Sequence, residues 1–532
     1  MVSSDAGRRW ALTALVFAAL ALLVGLMGGT TRSPADFTFC NQGEVPSLDP
    51  ARATESQALR LLVGLFEGLT RPDPTGGPAL PGVAERWETS DDELTWTFTL
   101  REDARWSNGA PLTAVDFEYS IIRVLHPDTA APLAYLLPLV GAQAFTGTPP
   151  GRSPDPSRLG LEVVAPRVLR LTLRQPSPRL AEILSLPAFS PVHRPSLEAH
   201  GPEWLRPEAW VSNGAFVLTE RRLRDRTRLT RNPHYWGVDD VALETIDALA
   251  ADGTTTQLNL FLTGQADWMI KPPPALYDEL LSAEETRVGP QLGTTFLRFN
   301  TTREALADPN LRRALALAID REVIARDVLR GGQRAMRSFV PPGLADYEPV
   351  PGPGHDPVRA RELLAETDVD SSLELRLLYP QNDAARDVCE VIAEQWRRHL
   401  GLTVRLETQA WKVYLDSCTS LAYDIAWSSW IGDTVDAATF LEVFSSEAGA
   451  NRTGWKDPTY DELVTTAQQE PDPVQRALHW RAAERYLLDA SPLTPLCQRV
   501  NINLVSTRVL GFSDHLLDVH PLRDLGLTDA HR

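Results

Sequence analysis

The chain has 532 residues, more than one hydrophobic core usually supports, so two or three lobes are expected. A formal net charge of -18 argues against a nucleic-acid surface, which needs clustered cations. With 43% hydrophobic and 23% charged residues, the composition is that of an ordinary soluble globular protein.

The first 36 residues stand apart. Arg8 and Arg9 precede an uncharged apolar run from Trp10 to Met27, and Gly28, Gly29 and Thr30 follow, the order of a secretory signal. At 18 residues the run also suffices to cross a bilayer, so a cleaved signal and an uncleaved membrane anchor both stand. The positive-inside rule places residues 37 onward outside the cytoplasm, periplasmic or on the outer face of the membrane. Cys40 is no lipidation site, because Phe37, Thr38 and Phe39 before it are too bulky for such processing.

From residue 37 strands and helices alternate. Phe37 and Phe39 suggest a strand running into the loop Asn41-Gln42-Gly43, and residues 55–68 carry apolar positions at helical spacing. Thr95–Leu100 alternates threonine with large apolar residues, as a half-buried strand does. After the turn Ser107-Asn108-Gly109, Thr113 and Asp116 cap a helix through about Val124. Residues 145–158 read as an exposed loop, and Val163-Val164 with Val168–Leu173 as a hairpin. Residues 310–330 predict an amphipathic helix or helix pair ended by Gly331-Gly332. A further helix is expected at 384–399 and a strand at Leu402–Leu406, giving an α/β fold with mixed sheets.

Little supports catalysis. HExxH, GxSxG, Walker A and GxGxxG patterns are missing, the 10 histidines are scattered, and Asp91-Asp92 and Asp239-Asp240 sit in loop-like text. No metal or other cofactor is implied. Cys40, Cys389, Cys418 and Cys497 form no CxxC pair. In an oxidising compartment two disulfides are possible in three connectivities, with Cys40–Cys497 and Cys389–Cys418 the pairing to test if the chain ends share a lobe, and four buried free thiols are the equal alternative.

Several segments together resemble a known family. Phe66-Glu67-Gly68-Leu69, Pro81–Trp87, Trp96–Arg101 and Trp106–Phe117 are similar to the signature region of the peptide/nickel class of extracytoplasmic solute-binding proteins (family 5). Asn41–Pro50, Ser212–Phe216, Asn232–Trp236, Arg312–Asp320, Asp433 and Pro492–Arg508 follow in the family's order, so the resemblance spans roughly residues 37–525.

The resemblance implies a three-lobe clamshell with a central cleft. Lobe I would be 37–70 plus 190–295 plus 480–532, lobe II 71–189 and lobe III 296–479, a division consistent with the disulfide pairing above. It implies capture of short peptides for an ABC permease and its ATPase, with membrane contact through the N-terminal segment. A non-peptide solute (nickel chelate, sugar or opine) or a membrane-anchored peptide sensor or chaperone are the alternatives.

In oligopeptide-binding relatives an Asp just after a Trp-containing strand pairs with the peptide ammonium, and Asp433 matches it. Gly432 would permit close backbone approach, Trp427 and Trp430 would flank ligand side chains, and Ser212, Asn213 and Gly214 would oppose them across the cleft. No Arg or Lys lies between Lys412 and Arg452, so this stretch offers nothing to a ligand carboxylate.

Overall fold

A computed structural model describes residues 34–369 and 373–528. The run Trp10–Met27, with its signal-or-anchor reading, lies outside the described residues. Thr95–Leu100 shows how pattern becomes structure: Trp96, Phe98 and Leu100 are buried and the threonines between them stay partly exposed, as side chains alternating across a strand must.

Strand β1 (Phe37–Cys40) is followed by β2 (Ala84–Thr89), β3 (Thr95–Leu100), β4 (Leu161–Ala165) and β5 (Val168–Thr172). The last four form a separate antiparallel sheet in the order β2-β3-β5-β4. Next come β6 (Phe216–Arg222), β7 (Arg226–Arg231), β8 (Thr245–Leu249), β9 (Trp268–Ile270) and β10 (Thr286–Phe299). Then follow β11 (Arg334–Ala335), β12 (Glu374–Pro380), β13 (Thr403–Gln409), β14 (Ile425–Ile431) and β15 (Leu493–Val505). The large mixed sheet runs β13-β12-β14-β10-β15-β9-β1-β8-β7-β6, with β11 pairing β15.

Helices cover these sheets where apolar periodicity meets a start signal. Helix α1 (Ala114–Leu125) begins where the Thr113 amide donates to the Asp116 carboxylate at 2.8 Å, and it buries Phe117, Ile121 and Val124. The expected pair at 310–330 resolves into α2 (Pro309–Leu317) and two short helical turns, Arg321–Val323 and Ile324–Leu329. Helix α3 (Asp383–Leu400) starts at an Asn382 cap and stops at Gly401, whose φ of 70° suits a residue without Cβ.

Four main cores result. One packs between α1 and the β2–β5 sheet around Phe98, Trp106 and Phe117. A second surrounds β1 with Phe37, Phe39, Phe216 and Trp268. The other two lie on opposite faces of β10 and β14, as alternation dictates: Leu297, Phe299 and Ile425 meet Trp396 of α3, whereas Phe296 meets Phe339, Phe440 and Phe444.

Of the two cysteine readings the disulfide pairing is corrected and the other holds: Cys40, Cys389, Cys418 and Cys497 are all buried free thiols. Cys389 packs in the core containing Leu377 and Cys418 in the one containing Leu378, so β12 separates them. Cys40 aligns with Met269, which aligns with Leu504, seven residues along β15 from Cys497. That is roughly 20 Å of strand, against the ~7 Å limit between Cα atoms of a disulfide. Without reductant, the denatured protein should therefore take up four alkyl groups by mass, and adding reductant should leave its melting temperature unchanged. A lost disulfide would instead cost about 2–5 kcal/mol.

Candidate functional site

A cleft of about 670 Å³ opens between residues 135–183 on one wall and 430–480 on the other. Strand β14 delivers one wall. It ends at Ile431, and Gly432 turns the chain, its amide donating to Leu292 O at 2.9 Å. A Cβ there would lie 2.8 Å from Thr439 Cγ2 and 2.9 Å from Leu292 Cδ2, so only glycine fits without displacing both.

Asp433 follows at the cleft edge. Its amide donates to Thr439 Oγ1 at 3.0 Å and its carboxylate accepts from the Tyr135 hydroxyl at 2.9 Å. Among the described residues it joins no ion pair. Burial raises its pKa and the Tyr135 hydrogen bond partly offsets this. Trp430 lines the same cleft and is fixed by Nε1 donating to Thr439 O at 2.7 Å. Thr439 therefore positions both.

The opposite wall supplies Tyr135, exposed over 66% of its surface, and Arg179. Arg179 bridges the walls, 2.9 Å from Asp346, 3.6 Å from Asp436 and 3.3 Å from Glu182 on its own side. Glu442 also lines the cleft, accepting from Gln468 Nε2 at 2.8 Å, and burial raises its pKa, with Arg174 opposing.

Asp433 and Trp430 thus come together as read, with Gly432 shaping the turn between them. Trp427 does not join them. It stands three residues from Trp430 on a strand and so faces the other way, packing beside Leu297 and Ile425. Ser212, Asn213 and Gly214 are not among the residues lining this cleft either, and all three are buried in the framework. Asn213 clasps the backbone of Glu67, donating to its carbonyl at 2.8 Å and accepting from its amide at 3.2 Å. Ser212 O accepts from Ser107 N at 2.7 Å, and a Cβ on Gly214 would sit 2.5 Å from Gly64 O.

Tyr135, Thr439 and Arg179 escaped sequence reading. Tyr135 meets Asp433 across 298 residues of chain, and no local spacing announces such a contact. Among the described residues no group of three or more His, Cys, Asp or Glu could hold a metal, and no helix is long and apolar enough to cross a membrane.

The fold and its inter-wall cleft define a ligand-capturing clamshell of the periplasmic binding-protein type. The profile of bacterial extracellular solute-binding proteins, family 5 (Middle), matches residues 79–452, and the chain belongs to this family. It is a binding protein rather than an enzyme, and works outside the cytoplasm. It is 32% identical over 480 residues to the periplasmic murein peptide-binding protein MppA of Escherichia coli, covering 88% of each chain. Against the periplasmic oligopeptide-binding protein OppA of Salmonella typhimurium it is 32% identical over 514 residues, covering 94% of each. The solved MppA of E. coli superposes with a TM-score of 0.80 at 30% identity, covering 93% of this chain and 99% of that one. OppA of Haemophilus influenzae in complex with RPPGFSPFR gives 0.77 at 29% identity, covering 93% and 99%.

Asn213→Ala should lower unfolding free energy by about 1–3 kcal/mol in denaturant titration, since it orphans the Glu67 amide and carbonyl. Ligand affinity of the folded fraction should stay unchanged.

Proposed function

We propose that this chain captures short peptides outside the cytoplasm for an ABC importer, closing its cleft over them with Asp433 paired to the peptide ammonium. The observation that carries the reading is the half-buried Asp433 carboxylate, which faces the cleft with a neutral phenol and no cation beside it. A charge so placed is costly until a ligand cation arrives. Relatives named for oligopeptides, dipeptides and murein peptides, and a similar Bacillus anthracis structure titled as the substrate-binding domain of an oligopeptide ABC transporter, support it.

Closure would move lobes of about 71–189 and 296–479 against a discontinuous lobe of 37–70, 190–295 and 480–532, a hinge motion. The separate cores are consistent with such rigid bodies, and the Arg179 bridges with a closed arrangement. A second reading, a non-peptide solute, is favoured by one similar relative, the "Probable deoxycholate-binding periplasmic protein YgiS" of E. coli, 31% identical over 516 residues.

Native mass spectrometry of the full chain, with release of bound solute, separates the two. A ladder of short-peptide masses is expected, and a single non-peptide mass would select the second reading. Asp433→Asn should weaken peptide binding about 100-fold, roughly 3 kcal/mol. Its raised pKa means the carboxyl favours folding below its unfolded pKa and loses that contribution as pH rises through the folded value. The same substitution should therefore raise the melting temperature of ligand-free protein at pH 7. Peptide affinity should fall as pH drops through a midpoint above the ordinary Asp value of about 4.

The run at residues 10–27 directs the chain to the membrane in this reading. The intact mass of protein recovered from cells decides between a cleaved signal, which removes the first 30 or so residues, and a retained anchor.

A further inference from the structure

Three carboxylates line the 430–480 wall of the cleft: Asp433, Asp436 and Glu442. Asp436 meets the Arg179 guanidinium at 3.6 Å. Asp433 holds the Tyr135 hydroxyl, and the reading above assigns it the ligand ammonium. Glu442 has no such assignment.

The backbone aims Glu442 at the cleft. Residues Ala438–Leu441 and Glu442–Phe444 form one short helical run that buries Phe440, Leu441 and Phe444 in the core behind the wall. Thr439 and Glu442 are three residues apart on that run and share its other face. The Thr439 hydroxyl holds the Asp433 amide at 3.0 Å, and Glu442 lies about one helical turn, ~5 Å, beyond it. A peptide chain advances about 3.5 Å per residue. With its ammonium on Asp433, a side chain of its first or second residue therefore reaches Glu442.

The protein's own groups do not neutralise this carboxylate. Gln468 Nε2 donates to its Oε1 at 2.8 Å and fixes it in place, but among the described residues Glu442 joins no ion pair. It is half-buried, and burial raises its pKa; the like charge of Asp436 adds to the rise, while Gln468 and Arg174 oppose it. Arg174 and Arg476 line the cleft too, and neither is in an ion pair among the described residues. Arg179 already joins the two walls, and even so Arg174, exposed on the far wall, does not close on Glu442. A carboxylate so placed has lost part of its water without gaining a cation, a cost that a ligand cation offsets.

The surrounding space suits a long side chain. Ala448, Gly449 and Ala450 line the same cleft without bulk, and a Cβ on Gly449 would meet nothing within 4 Å. Trp430 and Trp480 add indole surface, along which the aliphatic stem of a lysine or the plane of an arginine can lie.

We propose that Glu442 selects ligands by charge, its carboxylate pairing with a basic side chain on the first or second residue of the captured peptide. The inference rests on the peptide reading above and narrows it from any short peptide to one with a lysine- or arginine-like residue near its N-terminus. The Asp433 contact cannot supply this selection, because every peptide with a free ammonium makes it alike.

Calorimetry on the full-length protein compares alanine tripeptides carrying lysine, norleucine or glutamate at the first or second position, each also as its N-acetyl derivative. At one of the two positions lysine should bind about 10-fold or more tighter than norleucine, which keeps the stem but lacks the charge, and glutamate more weakly than either. In Glu442→Gln, lysine and norleucine peptides should bind alike, at the wild-type norleucine level. Arg174→Gln removes the opposing cation and should widen the lysine advantage, a change that a purely structural role of Glu442 would not produce. If wild-type protein binds lysine and norleucine peptides equally while N-acetylation abolishes both, this inference is overturned and the peptide reading stands. A lysine advantage that survives Glu442→Gln overturns it as well. If no tripeptide binds, both fall. Should Glu442→Gln fail to fold, Arg174→Gln decides, and an unchanged lysine advantage there overturns the assignment.

Discussion

The pairing of two long strands, β10 and β15, is the constraint on which the rest depends. Their ladder runs from Thr286 opposite Leu504 to Arg298 opposite Leu493, and β10 pairs on its other edge with β14. A register slip of one residue would turn every side chain to the wrong face, burying Arg499 in a core and exposing Phe296. The ladder also breaks register between Pro290 and Thr294, beside Gly293. Such irregularities bend a strand and re-aim its side chains. The strand that delivers Trp430 to the cleft, and Asp433 two residues past its end, is held in place by these backbone hydrogen bonds.

On that frame the electrostatics are deliberately incomplete. Asp433 sits beside the Tyr135 phenol and, among the described residues, joins no ion pair. Elsewhere the same protein pairs its charges closely: Asp247 takes Arg226 and Arg228, Asp267 takes Arg508, and Asp49 takes Arg123. The contrast marks Asp433: buried Glu484, equally without a counterion, accepts four hydrogen bonds, whereas the Asp433 carboxylate accepts one, from Tyr135. Preorganised in this way, a receptor spends little on ordering its own side chains when the ligand arrives.

Much of the fold was legible because it rests on local chemistry. Alternation at Thr95–Leu100, the Thr113–Asp116 cap and the glycine stop after α3 each came out where the pattern put them. Of the site, Asp433 and Trp430 were readable as one short segment. Trp427 was misplaced beside them, although period-two alternation alone sends it away from Trp430. Ser212–Gly214 misled because a Gly-containing turn looks the same whether it meets a ligand or clasps Glu67, 146 residues away in sequence. Tyr135 was invisible for the same reason, since a contact 298 residues away in sequence, not local spacing, brings it to Asp433 at the cleft. The cysteine pairing failed on geometry that only the sheet reveals.

The four buried thiols have a consequence for how the protein matures. A fold finished without cross-links needs no oxidant or isomerase on the far side of the membrane, and its cohesion is indifferent to the redox state it meets there. Its vulnerable interval is earlier, while the chain is still extended and the sulfurs stand open to mispairing. Burial, which pushes the Cys40 thiol up to about 12, then withdraws the reactive thiolate and closes that interval.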